Sequence, residues 1–115
     1  MENLIAGGGV WHEPNAFKDG IERHSFFWGR DKSGTLVYFD DYNDPKGNGY
    51  HSEEWYVPAR YLKSGSVYWS KSYMDPYSLE PMVTCSVPIW DGDIFTGVAT
   101  IDLKLIGLSE FMSKQ

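Results

Sequence analysis

Residues 82–103 read MVTCSVPIWDGDIFTGVATIDL, and the reading of this stretch decides the fold. Two runs rich in β-branched residues flank Asp91-Gly92, a dipeptide that tolerates positive φ and is the strongest short-range hairpin signal. With Asp91-Gly92 as the turn, Trp90 faces Asp93 and the ladder pairs Ile89 with Ile94, Val87 with Thr96, Cys85 with Val98 and Val83 with Thr100. Alternation then places Ile89, Val87, Cys85, Val83, Ile94, Val98 and Asp102 on one face. Thr84, Ser86, Gly97, Ala99 and Ile101 fall on the other, where small side chains would let a helix lie close. The first face closes on Asp102, a carboxylate at the end of an otherwise uncharged strand. That carboxylate needs a reason.

Working back from the hairpin, SYMDPYSLEP is a turn-rich link, and residues 67–70 form a further strand candidate. Ser52 to Leu62, SEEWYVPARYL, reads as a short helix: Ser52 is an N-cap, Glu53 and Glu54 suit the positive end of the dipole, and Gly65 follows the end. Pro58 makes that helix start late or bend. Residues 40–50, DDYNDPKGNGY, are a loop whose carboxylates lack the alternate-ligand spacing and distant Glu of a calcium site. Residues 23–30 and 35–40 form a second hairpin around Asp31 to Gly34. Residues 1–20, with Gly7, Gly8, Gly9 and Pro14, read as an entry loop. Val10 and Trp11 follow the glycines, so no phosphate cradle is present. LIGLSEFM, after the hairpin, reads as a turn or two of amphipathic helix. The resulting expectation is one α+β domain over residues 1–115, with an antiparallel sheet of about five strands and short flanking helices.

The chain has 115 residues and a net charge of −6, which argues against nucleic acid because phosphate binding needs a basic footprint. No apolar run is long enough to span a bilayer, and Met1-Glu2-Asn3 does not open a signal peptide. The single cysteine, Cys85, excludes an internal disulfide and any cysteine-based zinc site; on a strand it reads as a small hydrophobe. His12, His24 and His51 lack the spacing of a metal motif, so neither a metal nor a cofactor is expected. No nucleophile elbow occurs, and no carboxylate pair among Glu53, Glu54, Asp75 and Asp102 is singled out for glycoside chemistry. The domain is therefore read as non-enzymatic. The five Trp, eight Tyr and six Phe remain. Trp55, Tyr56, Trp69 and Tyr73 flank the loops that would cover the sheet, and with an acidic floor they suit a small cation.

WYVPARYLKSGSVYWSKSYMDP, followed by MVTCSVPIWDGDIFTGVATIDLKLIGLSEF, resembles the Cache (PAS-like, double-Cache type 1) sensor family over about residues 7–112. The resemblance rests on the Trp-Tyr pair, the segment reaching Tyr73-Met74-Asp75, and the Gly-Val-x-x-x-Asp-Leu end of the last strand. It implies the extracytoplasmic, periplasmic ligand-binding part of a bacterial chemoreceptor, histidine kinase or diguanylate cyclase. The membrane is then reached only through other parts of that receptor, and a homodimer is compatible with the family. It also implies a long N-terminal helix on the sheet. This sequence does not show that helix, so the chain is read as a piece of a larger receptor. Amino-acid-sensing members resemble this chain at Trp55, Tyr56, Tyr73 and Asp102, where the Asp holds an ammonium group. The residue two before the Trp is there an Arg that grips a carboxylate; here it is Glu53, and a carboxylate ligand would meet repulsion. The candidate site is thus Glu53, Trp55, Tyr56, Trp69, Tyr73, Asp75 and Asp102, taking a small amine or another cationic or neutral ligand, with an amino acid as the other candidate. The competing readings are a carbohydrate-binding module, which needs exposed flat aromatics, and a ligand-free dimerisation domain.

Overall fold

The computed structural model describes residues 4–31, 33–74 and 79–106. Within them runs one antiparallel sheet of seven strands: β1 (Ile5–His12), β2 (His24–Arg30), β3 (Leu36–Phe39), β4 (Tyr68–Trp69), β5 (Tyr73–Met74), β6 (Pro81–Asp91) and β7 (Ile94–Lys104). Their spatial order is β3-β2-β1-β7-β6-β4, with β5 also on β6. The α+β class and the antiparallel sheet agree with the sequence reading. The strand count exceeds it by β1 and the two-residue β5.

β1 corrects the entry loop. Gly7 to Gly9 lie inside a strand between β2 and β7, near the middle of the sheet. Loop propensity loses here to close approach of the backbones. A Cβ on Gly7 would stand 2.3 Å from the Trp28 carbonyl oxygen, and one on Gly9 2.5 Å from that of Phe26. Only glycine fits such spacing.

The long hairpin forms, with a different register. Asp91 pairs with Ile94, so Gly92 and Asp93 make the turn, and Gly92 sits at φ +60°. Trp90 then faces Phe95 rather than Asp93, and Ile89 faces Gly97. Thr96 is the extra residue of a bulge. Its Oγ1 donates to the Ile89 carbonyl at 3.1 Å, and its own carbonyl accepts the Glu13 N–H at 2.9 Å. One added residue flips every later side chain of β7. Asp102, Thr100 and Val98 therefore share a face with Thr84, Ser86 and Pro88. Val83, Cys85, Val87 and Ile89 face the other way with Leu103, Ile101, Ala99 and Gly97.

The expected helix over residues 52–62 contracts to turns and a 3₁₀ helix, Pro58–Tyr61, with Pro58 at its start. The proline ring removes a donor and blocks α-helical bonding from the preceding turn. A second 3₁₀ helix, Asp41–Asn43, lies in the acidic loop. These loops cover the face that carries Asp102. Between them and the sheet lies the core: Trp11, Phe27, Tyr50, Tyr56, Ala59 and Val98, flanked by Phe39, Tyr42, Trp55 and Phe95. Trp11 is its centre, 2% exposed and in ring contact with Phe27, Tyr42, Tyr50 and Trp55. The expected C-terminal helix falls largely beyond the described residues.

Candidate functional site

Beside that core the covering loops leave a cavity of about 360 Å³. Its floor is the sheet, through Thr84 of β6 and Thr100 and Asp102 of β7. Trp11, Phe27, Tyr42, Trp55 and Tyr73 supply the ring-bearing walls, and Glu53, Glu54, Ser70, Lys71 and Ser72 complete the lining. Three carboxylates thus meet one ammonium group around the space.

Asp102 is 8% exposed. Its Oδ1 accepts the Thr84 hydroxyl at 2.7 Å, and Thr84 Oγ1 in turn lies 2.6 Å from the Tyr73 hydroxyl. With Thr84 donating to the carboxylate, Tyr73 donates to Thr84, and three side chains from β5, β6 and β7 form one chain of hydrogen bonds. Ser70 Oγ accepts the Thr84 N–H at 2.8 Å, which ties the loop after β4 to the same point. On the other side of the floor, Trp11 Nε1 donates to Thr100 Oγ1 at 2.8 Å. Buried hydroxyls and an indole N–H that are bonded to one another hold their rotamers, so the floor is rigid before any guest arrives.

Burial holds the Glu53 carboxyl above its ordinary value. An oriented cation would reverse that push, because opposite charge favours the ionised form. Glu54 Oε1 accepts the Lys71 N–H at 3.2 Å and bridges the two covering loops. Among the described residues, no three His, Cys, Asp or Glu side chains converge on one point.

The structure brings Glu53, Trp55, Tyr73 and Asp102 of the sequence-derived set together on one wall system. Two others stand elsewhere. Tyr56 is fully buried in the core, and its hydroxyl donates to Glu13, which also meets Arg60 at 3.2 Å. Burial and then Glu13 push the Tyr56 phenol well up. Trp69 is 54% exposed on the edge strand and does not line the cavity. Asp75 lies outside the described residues. Trp11, Phe27, Thr84 and Thr100 were missed. Reading GGGVWH as a strand would have found Trp11, since alternation puts it on the Val98 face.

The sequence matches, over residues 1–110, the family described as methyl-accepting chemotaxis protein-like, first PDC sensor domain. Comparison with curated proteins gave no match. Among solved structures, the chain is similar to Methyl-accepting Chemotaxis protein X, with 19% identity and a TM-score of 0.67 over 93% of this chain and 42% of that one. It is also similar to the extracellular domain of soHK1S-Z6, described as a histidine kinase, with 30% identity and a TM-score of 0.65 over 92% of this chain and 39% of that one. The ligand-binding domain of Mlp24, solved with asparagine, matches at 19% identity and a TM-score of 0.56 over 92% of this chain and 36% of that one. The likenesses at 19% identity show a shared fold. The chain spans about two-fifths of the length of these structures. The match through residues 1–110 fixes the family: this chain belongs to the first PDC sensor domains of the methyl-accepting chemotaxis protein type, a PAS-like, Cache-type fold.

Proposed function

We propose that this sensor domain binds a small amine, or another compact cationic ligand, in the cavity above Asp102, on the extracytoplasmic side of a bacterial membrane receptor. The observation that carries the reading is the placement of Asp102: a carboxylate 8% exposed, fixed by Thr84, on the floor of a ring-walled space. An ammonium guest seated above the floor would meet the Asp102 carboxylate where little water screens the attraction. The rings around it add attraction for a cation of roughly 0.5–2 kcal/mol each where they face it. Glu53 and Glu54 at the same lining favour a positive guest over a zwitterion.

The domain acts by binding, not catalysis. Closure of the covering loops over a guest would change how the sheet packs on the rest of the receptor, and a ligand shifts such a balance only through different affinity for the two states. Burial of Tyr56 counts against the carbohydrate reading, because a ring inside the core offers no platform to a sugar. The open space above Asp102 counts against a domain kept only for dimerisation.

Titration calorimetry against a panel of primary amines, diamines and amino acids tests this. Saturable heat with amines is expected. Binding of ordinary amino acids with no response to amines would overturn it.

A further inference from the structure

On the open side of the sheet, away from the cavity, β1 ends and β2 begins with a cross-strand pair, His12 and His24. Their Nδ1 atoms stand 3.2 Å apart, and His12 Nδ1 is also 3.0 Å from the His24 carbonyl oxygen. One proton satisfies this arrangement: His12 Nδ1–H donates and His24 Nδ1 accepts. The same separation suits a different occupant. Two imidazole nitrogens bound to one zinc ion at about 2.0–2.1 Å stand roughly 2.9–3.4 Å apart for angles between square and tetrahedral.

The rings are held in place. Phe17 lies flat on His24, with centroids 3.5 Å apart and 6° between the planes. Phe26 meets both imidazoles edge-on, at 4.8 Å from His24 and 6.4 Å from His12. From the interior, the fully buried Tyr50 places its hydroxyl against the carbonyls of His12 and His24 and accepts the His24 N–H at 3.0 Å. One buried hydroxyl therefore fixes the backbone of both residues. A metal site depends on such support behind its ligands.

We propose that His12 and His24 chelate one borderline divalent transition ion, of the zinc type, through Nδ1 of each ring. The ion replaces the shared proton and clamps the end of β1 to the start of β2, with water completing its coordination. Imidazole nitrogen suits zinc, copper and nickel and not calcium or magnesium. With two side-chain ligands the site stays open to a donor from another molecule. Sequence spacing hides it, because the two histidines are twelve positions apart and meet only through strand register.

Titration of the whole chain with zinc chloride alone, near pH 7.5, tests the proposal. One ion per chain is expected, with His12→Gln and His24→Gln each weakening binding about tenfold or more. Nitrogen-15 spectra of the imidazoles should show both Nδ1 signals move on zinc addition. Cys85→Ser should change nothing, since that thiol is the other soft ligand on the same side of the sheet. Absence of zinc binding, binding that survives either histidine change, or binding lost with Cys85→Ser overturns the proposal.

Discussion

The two sides of this sheet come from the same strands and reverse the usual order of polar and apolar. The covered side buries Ser25, Thr84, Ser86, Thr100 and Asp102. The open side presents Phe26, Trp28, Tyr38 and Ile101, each 41–49% exposed, beside Val83, Cys85 and Val87. Polar groups are expensive to bury, and on the covered side Thr84 bonds Asp102, Ser25 bonds Asn43 and Thr100 bonds Trp11; among the described residues Ser86 Oγ, buried without a partner, is the exception. A pure packing core would not be built this way. Under the proposed function the covered side supplies polar contacts to a guest, whereas the open side leaves an apolar surface exposed.

Four changes would break or sharpen this contrast. The largest effect is expected from Trp11→Ala, which empties the centre of the core and strips Thr100 of its indole partner. A loss of about 3–5 kcal/mol in urea unfolding is expected, a large share of a small domain's stability. Next comes Asp102→Asn, which keeps the shape and leaves an amide oxygen to accept the Thr84 hydroxyl. Amine affinity should fall about tenfold to a hundredfold by calorimetry while the thermal midpoint moves little. On the open side, Ile101→Lys should shift unfolding by no more than about 0.5 kcal/mol, since its side chain is half exposed. A large loss there would show that the open side is a true core.

The smallest effect is Glu53→Gln. Burial raises the Glu53 pKa, so the contribution of this group to stability is complete below its ordinary value of 4.5 and is lost as pH rises through the folded value. The glutamine form should therefore melt slightly higher than the parent at pH 7 in the absence of ligand. The difference should vanish near pH 4, where the parent carboxyl is protonated. The same change should weaken amine binding, which separates a site carboxylate from one that only shapes the loop.

The sheet and its class were legible because β-branched runs and turn dipeptides carry strong local signals. β2, β3 and the long hairpin stand within a residue or two of their expected ends. Two features escaped for opposite reasons. β1 looked like a loop, because the reason for its glycines lies in the carbonyls of neighbouring strands and not in its own chain. The bulge at Thr96 is one residue of register, invisible to alternation, yet it decides which side chains surround Asp102. Asp102 itself was legible as a charge out of place, and Trp55 and Tyr73 came with it. Tyr56 entered the set as an aromatic of the covering loops and through the family resemblance, yet its ring fills the core.

Gly7 and Gly9 lie opposite Asp102 and Thr100 on the cavity side of the sheet. No side chain rises from β1 at either position, and the Trp11 ring reaches back to 3.1 Å from where a Gly9 Cβ would be. The tight ladder beneath the cavity thus depends on atoms that β1 lacks. In relatives that keep this strand spacing, a methyl group at either glycine would force the ladder apart before it could trim the chamber. Under the proposed function, fitting larger or smaller guests falls to the covering loops, whose side chains line the cavity away from the ladder.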